Sequence, residues 1–133
     1  MFRGFTRHLA PALLVFALLG GTALAQENTW VGKENGPQMR ARLIDKEKNL
    51  ARRLAVVEVE VKGVALADPT GSYPLPGEGH LQFRLDNSAY ILPLNDRIAF
   101  EALAPGKHTI EVSLADHNYQ LLTPTVELQI TVP

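Results

Sequence analysis

The stretch Leu54–Lys62, LAVVEVEVK, decides how the chain is read. Ala55, Val57, Val59 and Val61 fall on one side of an extended backbone, and Glu58, Glu60 and Lys62 fall on the other. Successive strand side chains point to opposite faces, so this period of two marks a half-buried strand. The pattern recurs downstream. His80–Asp86 sends Leu81, Phe83 and Leu85 inward and His80, Gln82, Arg84 and Asp86 outward. His108–Leu114 sets His108, Ile110, Val112 and Leu114 against Thr109, Glu111 and Ser113, and Val126–Val132 separates four apolar residues from Glu127, Gln129 and Thr131.

Turn chemistry lies between these runs. Asp68-Pro69-Thr70-Gly71, followed by Pro74, Pro76, Gly77 and Gly79, makes a connection that neither helix nor strand can traverse. Asn87-Ser88 reads as a turn, and Ala89–Leu92 and Ile98–Leu103 read as short strands around a polar turn at Asn95-Asp96-Arg97. Ala104-Pro105-Gly106-Lys107 is a tight corner, because proline fixes one dihedral and glycine permits a positive one. Six to seven short strands without a convincing helix after Leu54 predict an all-β, antiparallel immunoglobulin-like β-sandwich over residues 54–133, with a small closed barrel as the alternative.

Upstream, the pattern is weaker. Residues 26–53 read as a polar lead-in in which Trp30 is the large apolar anchor of an extended or poorly ordered start. In Met39–Arg53 the spacing of Leu43, Leu50 and Leu54 permits a helix. The same residues also permit a hairpin, with Arg40–Ile44 as one strand and Asp45–Asn49 as the turn.

Residues 1–25 read as a signal peptide: Arg3, Arg7 and His8 precede an apolar run from Leu9 to Leu19, and Ala23-Leu24-Ala25 offers a small-residue cleavage site. The apolar run is too short for the roughly 20 residues of a membrane-spanning helix, so no stable membrane anchor is expected after cleavage. A periplasmic or secreted protein follows. Cleavage removes two of 13 basic residues and none of 14 acidic ones, which takes the net charge from −1 to −3. That balance gives no reason to expect nucleic acid as a partner.

The chain has no cysteine. Stability therefore has to come from the core, where a fully buried apolar side chain contributes roughly 1.5–3 kcal/mol. Thiol catalysis, cysteine-based metal sites and a lipidated N-terminal cysteine are excluded with it.

Three motifs together carry a likeness: Gly77-Glu78-Gly79-His80-Leu81-Gln82 with Asp86, then Leu103-Ala104-Pro105-Gly106-Lys107-His108-Thr109, then Leu128-Gln129-Ile130-Thr131-Val132-Pro133. From about Val56 to Pro133 the chain resembles an uncharacterised family of bacterial secreted immunoglobulin-like domains, with a Gly-x-x-His-x-His strand start and a Leu-x-Pro-Gly-x-His-Thr corner. The resemblance implies the fold and the compartment, and it favours the hairpin over Met39–Arg53. Gln82 stands where the family has its second histidine, and Asp116-His117-Asn118-Tyr119 replaces an Asn-Asp-His segment. A histidine cluster of the family would thus be incomplete here.

Metal binding is the sharpest chemical hypothesis, because His80, His108 and His117 are the histidines of the mature chain and each sits at or near a strand end. His80 and His108, joined by Asp86 or His117, would be the ligands of a zinc or copper site. Their opposite strand parities argue against it, and a structural role for each histidine is the competing reading. Serine catalysis would need Ser72, Ser88 or Ser113 beside an oriented histidine, and no Gly-x-Ser-x-Gly elbow exists. Glu58 and Glu60 share one solvent-facing side and read as surface charges rather than a glycosidase pair.

The glycines of GEG lead into a strand rather than a helix, which excludes a phosphate cradle. Arg40, Arg42, Lys46, Lys48, Arg52 and Arg53 are diluted by Asp45 and Glu47 and read as a solvated face. The expectation is a non-enzymatic binding or accessory module without a cofactor, whose partner is an unidentified protein or small molecule. Tyr73, Tyr90 and Tyr119 near turns are candidate contact residues.

Overall fold

The computed structural model describes residues 27–71 and 75–133. The expected signal peptide, Ser72 and Tyr73 lie outside the described residues. The strands are β1 (Val31–Gly32), β2 (Gln38–Ile44), β3 (Ala55–Lys62), β4 (Ala65–Leu66), β5 (Glu78–Leu85), β6 (Arg97–Phe100), β7 (Gly106–Ala115) and β8 (Val126–Val132). A single short helix, α1 (Lys46–Ala51), lies between β2 and β3. The fold is all-β: one four-stranded sheet has the order β1-β2-β3-β6 and the other β4-β5-β7-β8. Neighbours pair antiparallel except β4 and β5, which are parallel.

The alternation in the sequence sets which face is buried. Met39, Ala41 and Leu43 of β2, Ala55, Val57 and Val59 of β3, and Phe100 of β6 meet Leu81 and Phe83 of β5, Ile110, Val112 and Leu114 of β7, and the four apolar residues of β8 in one core. Phe83, Val57, Ile110, Val112 and Leu114 have no exposed surface. Just beyond the paired ends of β3 and β6 lies a reciprocal clasp. Leu103 donates its N–H to the Arg53 carbonyl at 3.0 Å, and Arg53 Nε donates to the Leu103 carbonyl at 2.8 Å.

Three expectations need correction. The fold begins before residue 54, because β2 lies in register with β3 from Gln38↔Lys62 to Ile44↔Val56 and puts three side chains into the core. The lead-in is also ordered over its described part: Asn28 donates to the Ala41 carbonyl at 2.6 Å, Glu27 accepts from the Leu43 N–H at 2.9 Å, and β1 pairs with β2. Between β2 and β3 the chain is both a hairpin and a helix: α1 is a single insertion at the turn. Asn49 holds it there, donating to the Ile44 carbonyl at 2.8 Å, while Leu50 plugs the core.

The third correction concerns residues 89–103. Of Ala89–Leu92 only Ile91 is bridged, to Phe83, and β6 ends at Phe100 and pairs with β3 rather than with a neighbour in sequence. Ala102 has a positive φ of 55°, which turns the chain out of the strand and lets Leu103 reach the core.

Gly79 shows why the GEG stretch is built as it is. A Cβ there would meet the Ala115 carbonyl oxygen at 2.8 Å and Val64 Cγ1 at 2.9 Å, so β5 approaches its surroundings too closely for any side chain. Gly77, with φ of 85°, has open space around it and is needed only for its backbone angle. Gly79→Ala should therefore cost about 1–3 kcal/mol through overpacking. Gly77→Asn should cost under about 0.5 kcal/mol, since asparagine tolerates the left-handed region. Urea unfolding midpoints compare the two, and equal losses would refute the close-approach account.

Candidate functional site

The three histidines do not come together. His80 stands opposite Ala115 and His108 opposite Ile130, so the two occupy opposite ends of the β5–β7 pair. His108 and Ala115 are seven residues apart on β7, or roughly 23 Å at the rise of a strand. The expected joint ligation of one metal by His80 and His108 is corrected on that ground, because donors to one ion must lie within about 2.0–2.2 Å of it. His117 is exposed in the turn after β7. Among the described residues no group of three or more His, Asp or Glu side chains is arranged to hold a metal ion.

His108 is instead the centre of a corner. Its Nδ1 lies 2.8 Å from Asp86 Oδ2 and its Nε2 lies 2.7 Å from the Ala104 carbonyl oxygen. Asp86 Oδ1 accepts the Thr109 N–H at 2.9 Å. Both ring nitrogens face acceptors, so the imidazolium satisfies the corner and the neutral ring cannot. The Asp86 carboxylate first, and the Ala104 carbonyl second, raise the pKa of His108 above its ordinary value. Hydrogen bonds from His108 and from the Thr109 N–H hold Asp86 below the usual carboxylate range.

An aspartate bonded to Nδ1 of a histidine is also how catalytic triads orient their base, but there the other nitrogen meets a serine. Here it meets a backbone carbonyl. Ser88 Oγ donates to the Leu85 carbonyl at 2.7 Å, and Ser113 Oγ is 3.2 Å from Thr125 Oγ1.

His80 has the outward parity expected from the sequence, yet only 2% of its surface is exposed. The turn after β7 covers it: the Tyr119 ring packs edge-on with centroids 5.0 Å apart. The Gln82 amide lies 3.1 Å from His80 Nε2 and donates to it, which leaves the neutral ring protonated on Nδ1. Burial lowers the pKa of His80, and the nearby Asp116 carboxylate only partly opposes this.

A more open arrangement lies on the outer face of the β1-β2-β3-β6 sheet. The register places Arg40 opposite Glu60, Arg42 opposite Glu58, and Glu58 opposite Arg97, and each pair forms a salt bridge. Arg97 first and Arg42 second lower the pKa of Glu58. At the β1 side, the Trp30 ring takes the Arg40 guanidinium at 4.7 Å and the Lys62 ammonium at 4.0 Å. A trough of about 510 Å³ runs over this ladder, bounded by Asn28, Arg42, Glu58 and Asp96. A second trough, of about 350 Å³, adjoins it through Val59, Glu60 and Asp96 and reaches Trp30, Lys62 and Leu66.

The sequence carries a signal for this face that no single segment reveals. Arg40 and Arg42, expected as part of a solvated basic cluster, and Glu58 and Glu60, expected as surface charges, share an equal spacing of two on consecutive strands, which is what cross-strand pairing produces. Arg84 and Glu111 repeat the device on the other sheet, bonded at 2.9 and 3.0 Å, with the guanidinium over Tyr90 at 4.7 Å. Compared with known proteins, the chain matches no family model, no curated protein and no solved structure.

The two buried or bonded histidines should titrate in opposite senses. An unfolded histidine titrates near 6.5. His108, raised in the folded state, contributes stability that is fully present below that value and lost as pH rises through its folded pKa. His80, lowered in the folded state, contributes stability that is fully present above 6.5 and lost as pH falls toward its folded pKa. NMR titration of the ring protons should find His108 above and His80 below the ordinary value, and Asp86→Asn should bring His108 down while leaving His80 in place. A His108 titration unmoved by Asp86→Asn would show that the carboxylate is not the cause.

Proposed function

We propose that the protein is a non-enzymatic binding or accessory module of the periplasm or the secreted space, built as an immunoglobulin-like β-sandwich. It engages a polar partner through the outer face of the β1-β2-β3-β6 sheet. Strand order supports the architecture: β2-β3-β6 and β5-β7-β8 follow the A-B-E and C-F-G orders of immunoglobulin-like domains. The three-part leader pattern of residues 1–25 supports export. Among the described residues no helix is long and apolar enough to cross a membrane.

The observation that carries the binding reading is the pair of adjoining troughs floored by ion pairs and ending at Trp30. Exposed ion pairs are each worth only about 0–1 kcal/mol, so a partner exchanges them for its own at little cost. Glu58 already divides its two oxygens between Arg42 and Arg97, and Asp96 adds an acidic rim. Such a face matches a partner surface of mixed charge, for which complementarity sets specificity more than strength.

Two experiments follow from this reading. N-terminal sequencing of the exported protein should begin at Gln26; a start at Met1 would remove the leader from the account. The double variant Arg40→Ala/Arg42→Ala should fold with a loss of about 1–2 kcal/mol and should no longer retain the partner that the unaltered protein captures from the exported fraction of its source. Trp30 is the single tryptophan, so its emission reports the same encounter. Retention by the variant equal to that of the unaltered protein would sink this face as the binding site.

A further inference from the structure

Among the described residues, the edges of the two sheets are unequal. β1 and β4 are two residues long, and β6 is four residues long and opens with Arg97. Short or charged edges resist pairing with other chains. β8 has seven residues, pairs with β7 on one side, and contains Glu127 as its one charge and neither lysine nor proline. Pro124 and Pro133 bound it on either side.

The hydrogen-bond parity of the sheet fixes which β8 groups face outward. Phe83 donates to the Ile91 carbonyl at 2.8 Å and accepts from its N–H at 2.7 Å, so Phe83 points its backbone away from β7. Its partner Val112 therefore points toward β8. The Leu122 N–H bonded to the Leu114 carbonyl at 2.8 Å, and the Asp86 N–H bonded to the Thr109 carbonyl at 2.7 Å, agree with that alternation. Val126, Leu128, Ile130 and Val132 thus bond β7, and Glu127, Gln129 and Thr131 direct N–H and C=O to the open edge. Among the described residues no backbone group bonds to these three on that side.

We infer that this edge is an interface for a second copy of the chain, with β8 pairing antiparallel to β8 of the partner about a two-fold axis at Gln129. In that register Gln129 faces Gln129 and Glu127 faces Thr131, and each facing pair exchanges two hydrogen bonds, so every outward N–H meets an outward C=O. The charges also fit. Each Glu127 lies beside a threonine hydroxyl, and the two glutamates are four residues apart along the seam, about 14 Å, beyond the screening length at physiological salt. A register centred on Glu127 would set the two carboxylates face to face, and that arrangement is disfavoured. The product is one continuous sheet across both copies.

The test uses the protein expressed from the full chain, examined by sedimentation equilibrium from micromolar to near-millimolar concentration. A monomer–dimer equilibrium is expected. Gln129→Pro deletes a central outward N–H without touching the β7 ladder, so it should raise the dimer Kd at least tenfold while leaving the far-UV circular dichroism unchanged. Should that variant fail to fold, Thr131→Glu and Thr131→Lys keep the question open to refutation, because the first sets like charge against the partner's Glu127 and weakens the dimer, and the second strengthens it. A monomer at every concentration overturns the inference, as does a dimer indifferent to all three changes. A monomer whose Gln129 amide is shielded from exchange by the chain's own residues 1–26 overturns it equally.

Discussion

The register of β5 against β7 is the constraint on which the rest depends. Leu81 faces Leu114, Phe83 faces Val112 and Leu85 faces Ile110, and these six side chains form the floor of the core. A slip of one residue would turn His80, Gln82 and Arg84 inward and expel Phe83. The same register brings Arg84 to Glu111, His80 beneath the turn after β7, and Asp86 to His108. Without a cysteine to fix the pairing covalently, apolar burial on one face and these polar contacts on the other specify it together.

The two histidines show how one strand pair generates opposite environments. At one end a ring is enclosed by an aromatic side chain and an amide, and burial favours the uncharged form. At the other, a carboxylate and a carbonyl leave two acceptors that only a charged ring satisfies. Both nitrogens of His108 are bonded, and His80 is enclosed; the accessible troughs lie instead on the ion-pair ladder beside Trp30.

The strands with a clean period of two, β3, β5, β7 and β8, were legible from the sequence because burial on one face writes itself into every second residue. β2 was legible only in part. Its inward residues are Met39, Ala41 and Leu43, which suit a helix as well as a strand, and its arginines read as a basic cluster until their partners on β3 are known. β6 was misplaced in extent because Ile98, Phe100 and Leu103 are all apolar, and nothing local reveals that Ala102 reverses the chain between the last two. His80 keeps the outward parity of its strand, but its enclosure depends on Tyr119, nearly forty positions away. The candidate face, too, arises from pairing between strands rather than from any one segment.

The clasp between Arg53 and Leu103 has a consequence for how the chain reaches this structure. It joins residues separated by 50 positions, and its two hydrogen bonds lie beside the long-range pairing of β3 with β6. Loop-closure entropy has to be spent before a contact of that separation returns anything, and chains rich in such contacts fold more slowly than chains built on local turns. The β2–α1–β3 and β7–β8 units are local by contrast, since each pairs two strands that are neighbours in the sequence. The clasp ties the two together, since Arg53 lies within the first and Leu103 leads into the second.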